Sequence, residues 1–308
     1  MEDKQIFKHI LIGVDGSIPS DVAQELTAFV AKKFKSEVTA MNIVAHELMH
    51  PQLQRFSPET PEIVGAGARP QAMPWVRVDL PTSTPLSNEL TVWGHQKGEE
   101  VISEALELFR SEGIAADHKL IEHVDPAEAI TKETETGNYD LVVVGHGGKE
   151  KQALRLGNVA KKVAHYAKIP VLLAGKKTEV AKILVPTDGS ENSEKALGYA
   201  VQLAKKFEAT MTLLHVQESH LFRMKPQASK EIGTRILSKA AEQVKGVQVD
   251  QKLEAGHPGD LIVRTAKDQN YDLIVMGTKG LGAVTRFLLG SVSDHVIHHA
   301  DCAVLLTR

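Results

Sequence analysis

Late in the chain the sequence runs G-T-K-G-L-G-A-V-T-R-F-L-L-G-S, so that Gly277 and Gly280 are followed by nine residues and then by Gly290 and Ser291. Glycines let backbone N–H groups approach an anion without a Cβ in the way, and a helix starting near Ser291 adds the partial positive charge of its N-terminus. With Ser291 and Ser293 as hydroxyl donors, the segment has the make-up of a phosphate cradle. Glycines after a strand also make plain tight turns. A second signal is Pro186-Thr187-Asp188-Gly189-Ser190, which puts a carboxylate at the end of another apolar run, suited to accept hydrogen bonds from ribose hydroxyls. Asp before Gly-Ser equally suits an Asx turn.

Other chemistry is weaker. No G-x-x-x-x-G-K-[ST] is present, and no G-x-G-x-x-G follows the first strand of either half, which weakens a dehydrogenase reading. His295, His298 and His299 share one helical turn, but no H-E-x-x-H accompanies them and His298 has a repeat partner in His165, so packing is expected and no metal. His257 and Asp260 lie near the expected cradle, where Asp260 better serves a helix N-terminus after Pro258. No Ser-His-Asp or Cys-His arrangement can be assembled, and Cys302 reads as inert core.

The elements that must hold these residues repeat. His9–Ser17 (HILIGVDGS) aligns with Lys182–Ser190 (KILVPTDGS) and Ala31–Phe34 (AKKF) with Ala204–Phe207 (AKKF), both at an offset of 173. Asn138–Gly145 (NYDLVVVG) aligns with Asn270–Gly277 (NYDLIVMG) at 132, and His165 with His298 at 133. The first copy therefore carries 41 extra residues and has lost one between its last two blocks. Short β-branched runs alternate with amphipathic stretches, which calls for a parallel sheet covered by helices on both faces. In the second copy the strands are expected at 183–187, 210–216, 247–253, 272–276 and 303–307, with four helices between, the first over 193–207. The fold class expected is α/β, two tandem Rossmann-like domains over 1–176 and 177–308, each an open five-stranded parallel sheet.

The extra residues of the first copy lie at about 46–98 and hold Trp75, Trp93 and seven of the thirteen prolines. So much proline argues against a helix or central strand there. They form either a surface loop or a lid or partner-binding arm.

Composition excludes other classes. Lys and Arg total 36 against 39 Asp and Glu, leaving no positive field for nucleic acid. One cysteine excludes a disulfide framework, the longest apolar runs fall short of a membrane helix, and Met1–Lys8 lacks the apolar stretch of a secretion signal. A cytoplasmic protein is expected, with neither nucleic acid nor membrane as partner.

The strand-end Asp188, the Leu214-His215-Val216 strand end, Gly256-His257-Pro258 and the G-x2-G-x9-G-S loop together resemble the universal stress protein family, in its ATP-binding branch and tandem form, over nearly the whole chain. The resemblance implies adenine nucleotide hydrolase-like domains with strand order 3-2-1-4-5 and ATP at the C-terminal edge, any Mg2+ being held by the phosphates. Asp188 would face the adenosine part, Val216 the adenine edge through its backbone, and Gly277 and Gly280 would line the nucleotide. Gly290, Ser291, Val292 and Ser293 would surround the phosphates, and Pro186, Thr187, Gly256, Met276 and Lys279 complete the expected site. Fifth strands, here Val171–Leu173 and Val304–Leu306, would pair the copies into an intrachain pseudo-dimer; a homodimer and an unknown protein partner stay open. The first copy keeps Asp15, Ile43, Gly145, Gly148 and Gly157 but has Asn158 for the serine and Val124 for Gly256. Its missing residue is expected to shift every cradle amide by about 3.3 to 3.6 Å of chain, weakening or abolishing binding, although Lys149 and Arg155 could hold an anion. The implied function is an ATP-binding stress-response protein using the nucleotide as a conformational or assembly signal, at most a slow ATPase. Its rivals are a nucleotide-independent interaction module using the Pro-rich arm and pseudo-dimeric sheet, and an adenylate-transferring enzyme.

Overall fold

The computed structural model describes residues 6–44, 85–122, 125–147, 156–218, 226–280 and 289–308, and of 85–91 the backbone alone. The first copy runs β1 (His9–Gly13), α1 (Ile18–Phe34), β2 (Glu37–Val44), α2 (Pro85–Ser111), β3 (Ala116–Glu122), α3 (Pro126–Thr136), β4 (Leu141–Gly145), α4 (Asn158–Tyr166) and β5 (Val171–Ala174). The second runs β6 (Lys182–Pro186), α5 (Glu191–Phe207), β7 (Thr210–Glu218), α6 (Pro226–Gln243), β8 (Val249–Gly256), α7 (Pro258–Asp268), β9 (Leu273–Gly277), α8 (Ser291–His299) and β10 (Ala303–Thr307).

Each copy has the strand order 3-2-1-4-5, and the two form one ten-stranded sheet, β3-β2-β1-β4-β5-β10-β9-β6-β7-β8. The join is the antiparallel pair of β5 and β10, with Val304 opposite Leu173, Leu305 opposite Leu172 and Leu306 opposite Val171. It brings together the very residues named from the family pattern. Apolar β4, β5 and β9, and β10 with Thr307 as its one polar residue, can occupy the middle because helices cover both faces there.

One core lies under α1, α2, α5 and α6 and the other under α3, α4, α7 and α8, and each runs unbroken through both copies. At the junction Phe29 and Phe34 of α1 meet Phe207 of α5, with ring centroids 4.8 and 6.0 Å apart. Both helices are capped by a serine, Ser17 or Ser190, and both end on a left-handed residue, Lys35 or Glu208, at matching places in the repeat.

Two expectations need correction. Helix α2 begins at Pro85 and takes in Trp93 and Gly98, so the last part of the proline-bearing segment is helical. Pro85 occupies the first helical position, where no N–H is required, and the pattern beyond it is free to propagate. The remainder of that segment, 46–84, lies outside the described residues. The third strand of the second copy also runs later than expected, to Gly256, because its ladder with β7 continues to the Glu218–Gly256 pair.

Candidate functional site

In each copy the first strand lies between the second and the fourth, so the chain leaves the sheet in opposite directions there and opens a crevice at the C-terminal edge. In the second copy the crevice is flanked by the ends of β6 and β9. Thr187 N–H adds one more rung, to Leu214 O at 2.9 Å, before the chain turns at Gly189, whose φ of 78° suits glycine. Asp188 Oδ1 accepts the Ser190 N–H at 3.0 Å, the Asx turn foreseen as an alternative. That turn occupies one carboxylate oxygen. The other, Oδ2, is aimed at the glycine loop, because a Cβ built on Gly280 would lie 2.5 Å from it.

The loop is closed at its base by Gly290 N–H donating to Thr278 O at 2.7 Å, while Thr278 N–H reaches Thr307 O at 3.1 Å. A Cβ on Gly290 would come within 3.2 Å of Thr278 O. Gly290 caps α8 with no side-chain hydrogen bond, and the first helical bond is Asp294 N–H to Gly290 O. The amides of Ser291, Val292 and Ser293 therefore have no carbonyl one turn earlier in the helix. Ser291 is exposed, Val292 and Lys279 half-buried, and 281–288 lie outside the described residues.

Val216 pairs with Glu254 of β8, but Leu214 O is the carbonyl that meets β6 through Thr187. In a parallel ladder alternate residues turn their backbone groups to the same neighbour, so Val216, two further on, turns its N–H and C=O to the β6 side, past the end of that strand. Ile43 stands likewise in the first copy, because Met41 O accepts the Val14 N–H.

Several expected site residues do other work. Gly277 makes room for a helix: a Cβ there would lie 2.9 Å from the Asn192 backbone at the start of α5. Gly145 does the same for Pro19 of α1, with the carbonyl oxygen 2.6 Å away. Ser293 is buried and donates its hydroxyl to Gly277 O at 2.9 Å, so this proton is not offered to the loop. Met276 is packed in the core beneath α7 and α8. Gly256 leaves space for Leu261 Cδ1, and Pro186 is the last paired residue of β6.

The first copy repeats the scaffold more closely than its deletion suggests. Asp15 Oδ1 accepts the Ser17 N–H at 3.0 Å, and Gly157 N–H donates to His146 O at 2.9 Å. Gly157 and Gly290 share one cap conformation, φ −66° and ψ 153° against φ −68° and ψ 151°. The expected shift is thus corrected for the start of α4: the closing bond sets Gly157 as its counterpart sets Gly290. Asn158 is exposed at the start of α4, and Ala160 stands where the second copy has Ser293. Gly148, Lys149, Arg155 and Val124 lie outside the described residues.

One pair of side chains that fixes the strand ends was given no role by sequence reasoning. His215 Nδ1–H donates to Thr187 O at 2.8 Å, and in the first copy Asn42 Nδ2–H donates to Val14 O at 2.7 Å. Each locks the strand end below the crevice, under a helix glycine, Gly233 or Gly98. The offset of 173 aligns Asn42 with His215, a signal that the change of residue type hides.

The histidines are committed elsewhere. His295 Nε2 meets Asp260 Oδ1 at 2.9 Å, and His298 and His299 donate to the carbonyls of Asp294 and His295. His165 Nε2 reaches Asp294 of the other copy at 2.9 Å. Among the described residues no group of three or more His, Cys, Asp or Glu is set to hold a metal. Cys302 is buried, and that burial pushes its thiol up to about 12. No described helix is long and apolar enough to cross a membrane.

A doubled α/β unit, with its crevices at the C-terminal edge and its copies joined through the fifth strands, is the class of protein defined by this geometry. The chain belongs to the universal stress protein family, whose model matches residues 76–175 and 179–308. It is 36% identical over 138 residues to universal stress protein MJ0531 of Methanocaldococcus jannaschii, a match spanning 41% of this chain and 81% of that one. A universal stress protein structure from Archaeoglobus fulgidus shares the fold over 99% of both chains, with a TM-score of 0.67 at 23% identity. A Pseudomonas aeruginosa protein, PA1789, does so over 98% of this chain and 93% of its own, at 0.64 and 15%.

Proposed function

We propose that this protein binds ATP, with any Mg2+ carried on the phosphates, in the crevice of the second copy, and uses the nucleotide as a conformational or assembly signal in a stress response, with at most slow hydrolysis. The observation that carries the reading is the meeting of Asp188 and Gly280: a side chain at 280 would strike the carboxylate, so the loop presents main chain rather than a side chain at the sheet edge. Adjacent to it, the start of α8 has a cap without a side-chain partner, which favours an anion. Val216 turns peptide N–H and C=O to the same crevice, a pair matched to the donor and acceptor edge of an adenine. Ser291, Val292 and Ser293 would meet the phosphates with amides, Asp188 the ribose, and Gly280 and Gly290 the close approach of backbone to ligand. The adenine ring and ribose supply recognition, and the phosphates the charge that the helix start favours.

Slow turnover is the expectation because, among the described residues, the nearby candidates are engaged: His257 and Asp260 pair with each other and Asp260 with His295. The first copy is the weaker site, because its loop offers one residue fewer between Gly148 and Gly157. Titration calorimetry with ATP tests the reading. Saturable heat, weakened tenfold or more by Gly290→Val, is expected; no heat from the wild-type chain up to about 100 µM ATP, a binding energy near −5.5 kcal/mol, would overturn it.

A further inference from the structure

Helices α4 and α8, which follow the two loops, end alike. Val163 O and Val296 O accept the closing N–H groups of Ala167 and Ala300 at 3.0 and 2.8 Å. The next carbonyls, Ala164 O and Ile297 O, belong to the last turn, where helices leave acceptors without amides. Each is met by a side chain of the opposite copy. Arg308 Nη2–H donates to Ala164 O and His146 Nε2–H to Ile297 O, both at 2.6 Å. The two acceptors are the same position of the repeat, but the donors are not: His146 follows β4 and aligns with Thr278, whereas Arg308 follows β10 and aligns with Gly175. Unrelated residues thus meet one shared requirement.

Both donors are kept at a cost. His146 is 1% exposed, and its Nδ1, like Arg308 Nε, has no hydrogen-bond partner among the described residues. Burial lowers the His146 imidazole below its ordinary range, so the ring is neutral with its one proton on Nε2, facing the carbonyl. The same residue works on both copies at once. Its own carbonyl accepts the Gly157 N–H that closes the first loop, while its ring grips the last turn of α8. Four to six residues of one continuous helix, about 6 to 9 Å of rise, separate that grip from the amides of Ser293, Val292 and Ser291.

We propose that His146 is a positioning residue for nucleotide binding by the second copy: by holding the carbonyl end of α8 it fixes how the amide end faces the crevice. The first copy thereby supports a site it does not line. The inference rests on the nucleotide reading above, and Arg308 gives α4 the reciprocal support.

The test compares full-length wild type, His146→Leu and His146→Gln by amide hydrogen exchange without nucleotide and by ATP titration. Leucine removes the donor but also the orphaned Nδ1, so the global melting temperature does not fall, while α8 amides exchange about tenfold faster and α4 amides are unchanged. ATP affinity drops several-fold in parallel. Glutamine, which can donate from the same place, restores both. Unaltered α8 exchange in His146→Leu, or altered exchange with unaltered ATP affinity, overturns the proposal. If the wild type takes up no ATP, the nucleotide reading fails and the binding role with it, whereas the exchange arm still reports the grip on α8. Should His146→Leu not fold, Arg308→Met must quicken exchange in α4 and leave α8 alone; no change in α4 would refute the cross-copy support.

Discussion

Gly277 and Gly280 stand three residues apart in one loop, yet alanine at each should fail differently. At Gly277 the new Cβ would meet Asn192 Cβ at 2.8 Å and its carbonyl carbon and oxygen at 2.9 Å. Those atoms belong to the first turn of α5, so relief requires moving a helix packed on β9 and β10. Such overpacking costs about 1 to 3 kcal/mol, and at about 2 to 4 °C per kcal/mol for a large domain the melting temperature should fall by about 2 to 12 °C. Gly145→Ala should cost as much, because Pro19 O and C lie 2.6 and 2.7 Å from the corresponding point. At Gly280 the obstacle among the described residues is the Asp188 carboxylate, with Oδ2 at 2.5 Å, the far end of a side chain that can swing away. Stability should then fall by less than at Gly277, while ATP affinity falls about tenfold as the carboxylate leaves its place. Scanning calorimetry with and without ATP on the three variants separates these effects. If Gly280→Ala proved the most destabilised, or Gly277→Ala melted like wild type with its affinity reduced, the division of labour argued above would be wrong.

Further outcomes follow from the buried groups. Burial holds the His146 imidazole below its ordinary 6.5. The unfolded chain then binds a proton that the folded chain refuses, so this contribution to stability is complete above about pH 6.5 and is lost as the pH falls below it. Thermal melts from pH 7.5 to 5.5 should show His146→Leu losing less stability than wild type; parallel profiles would contradict this. The Cys302 thiol, pushed up to about 12 by burial, should react with a thiol reagent at pH 7.5 no faster than the protein opens, and its rate should rise with urea. Immediate labelling of the native chain would place the thiol at the surface. Leu305→Asp, which sets a carboxylate at the centre of the β5–β10 join, should destabilise by several kcal/mol and lower both copies in one transition; two separate transitions would show that the halves fold independently.

Much of this was legible in the sequence because duplication makes one chain its own comparison. The offsets of 173, 132 and 133 fixed equivalent strands, and the fully apolar runs of β4 and β9 announced central positions. The job of each glycine was not legible. Gly277 and Gly280 look alike in sequence, and only the passage of Asn192 over one and of Asp188 over the other tells them apart. The proline-rich segment hid the start of α2, since proline reads as a breaker until its place at the first helical position is seen. The deletion in the first copy misled for a related reason: a hydrogen bond from Gly157 to His146 sets the start of α4 as its counterpart sets that of α8. The cross-copy grips of His146 and Arg308, unlike the pairing of the fifth strands, were invisible, because the two residues align with Thr278 and Gly175, which share none of their chemistry.

The central claim, one nucleotide site built by the second copy, is tested most directly by native mass spectrometry of the full chain titrated with ATP. The account predicts a mass increment of one nucleotide per chain, greatly reduced in Gly280→Ala and unaffected by Asn158→Ala in the first copy. No increment, or two equally populated increments per chain, would contradict it.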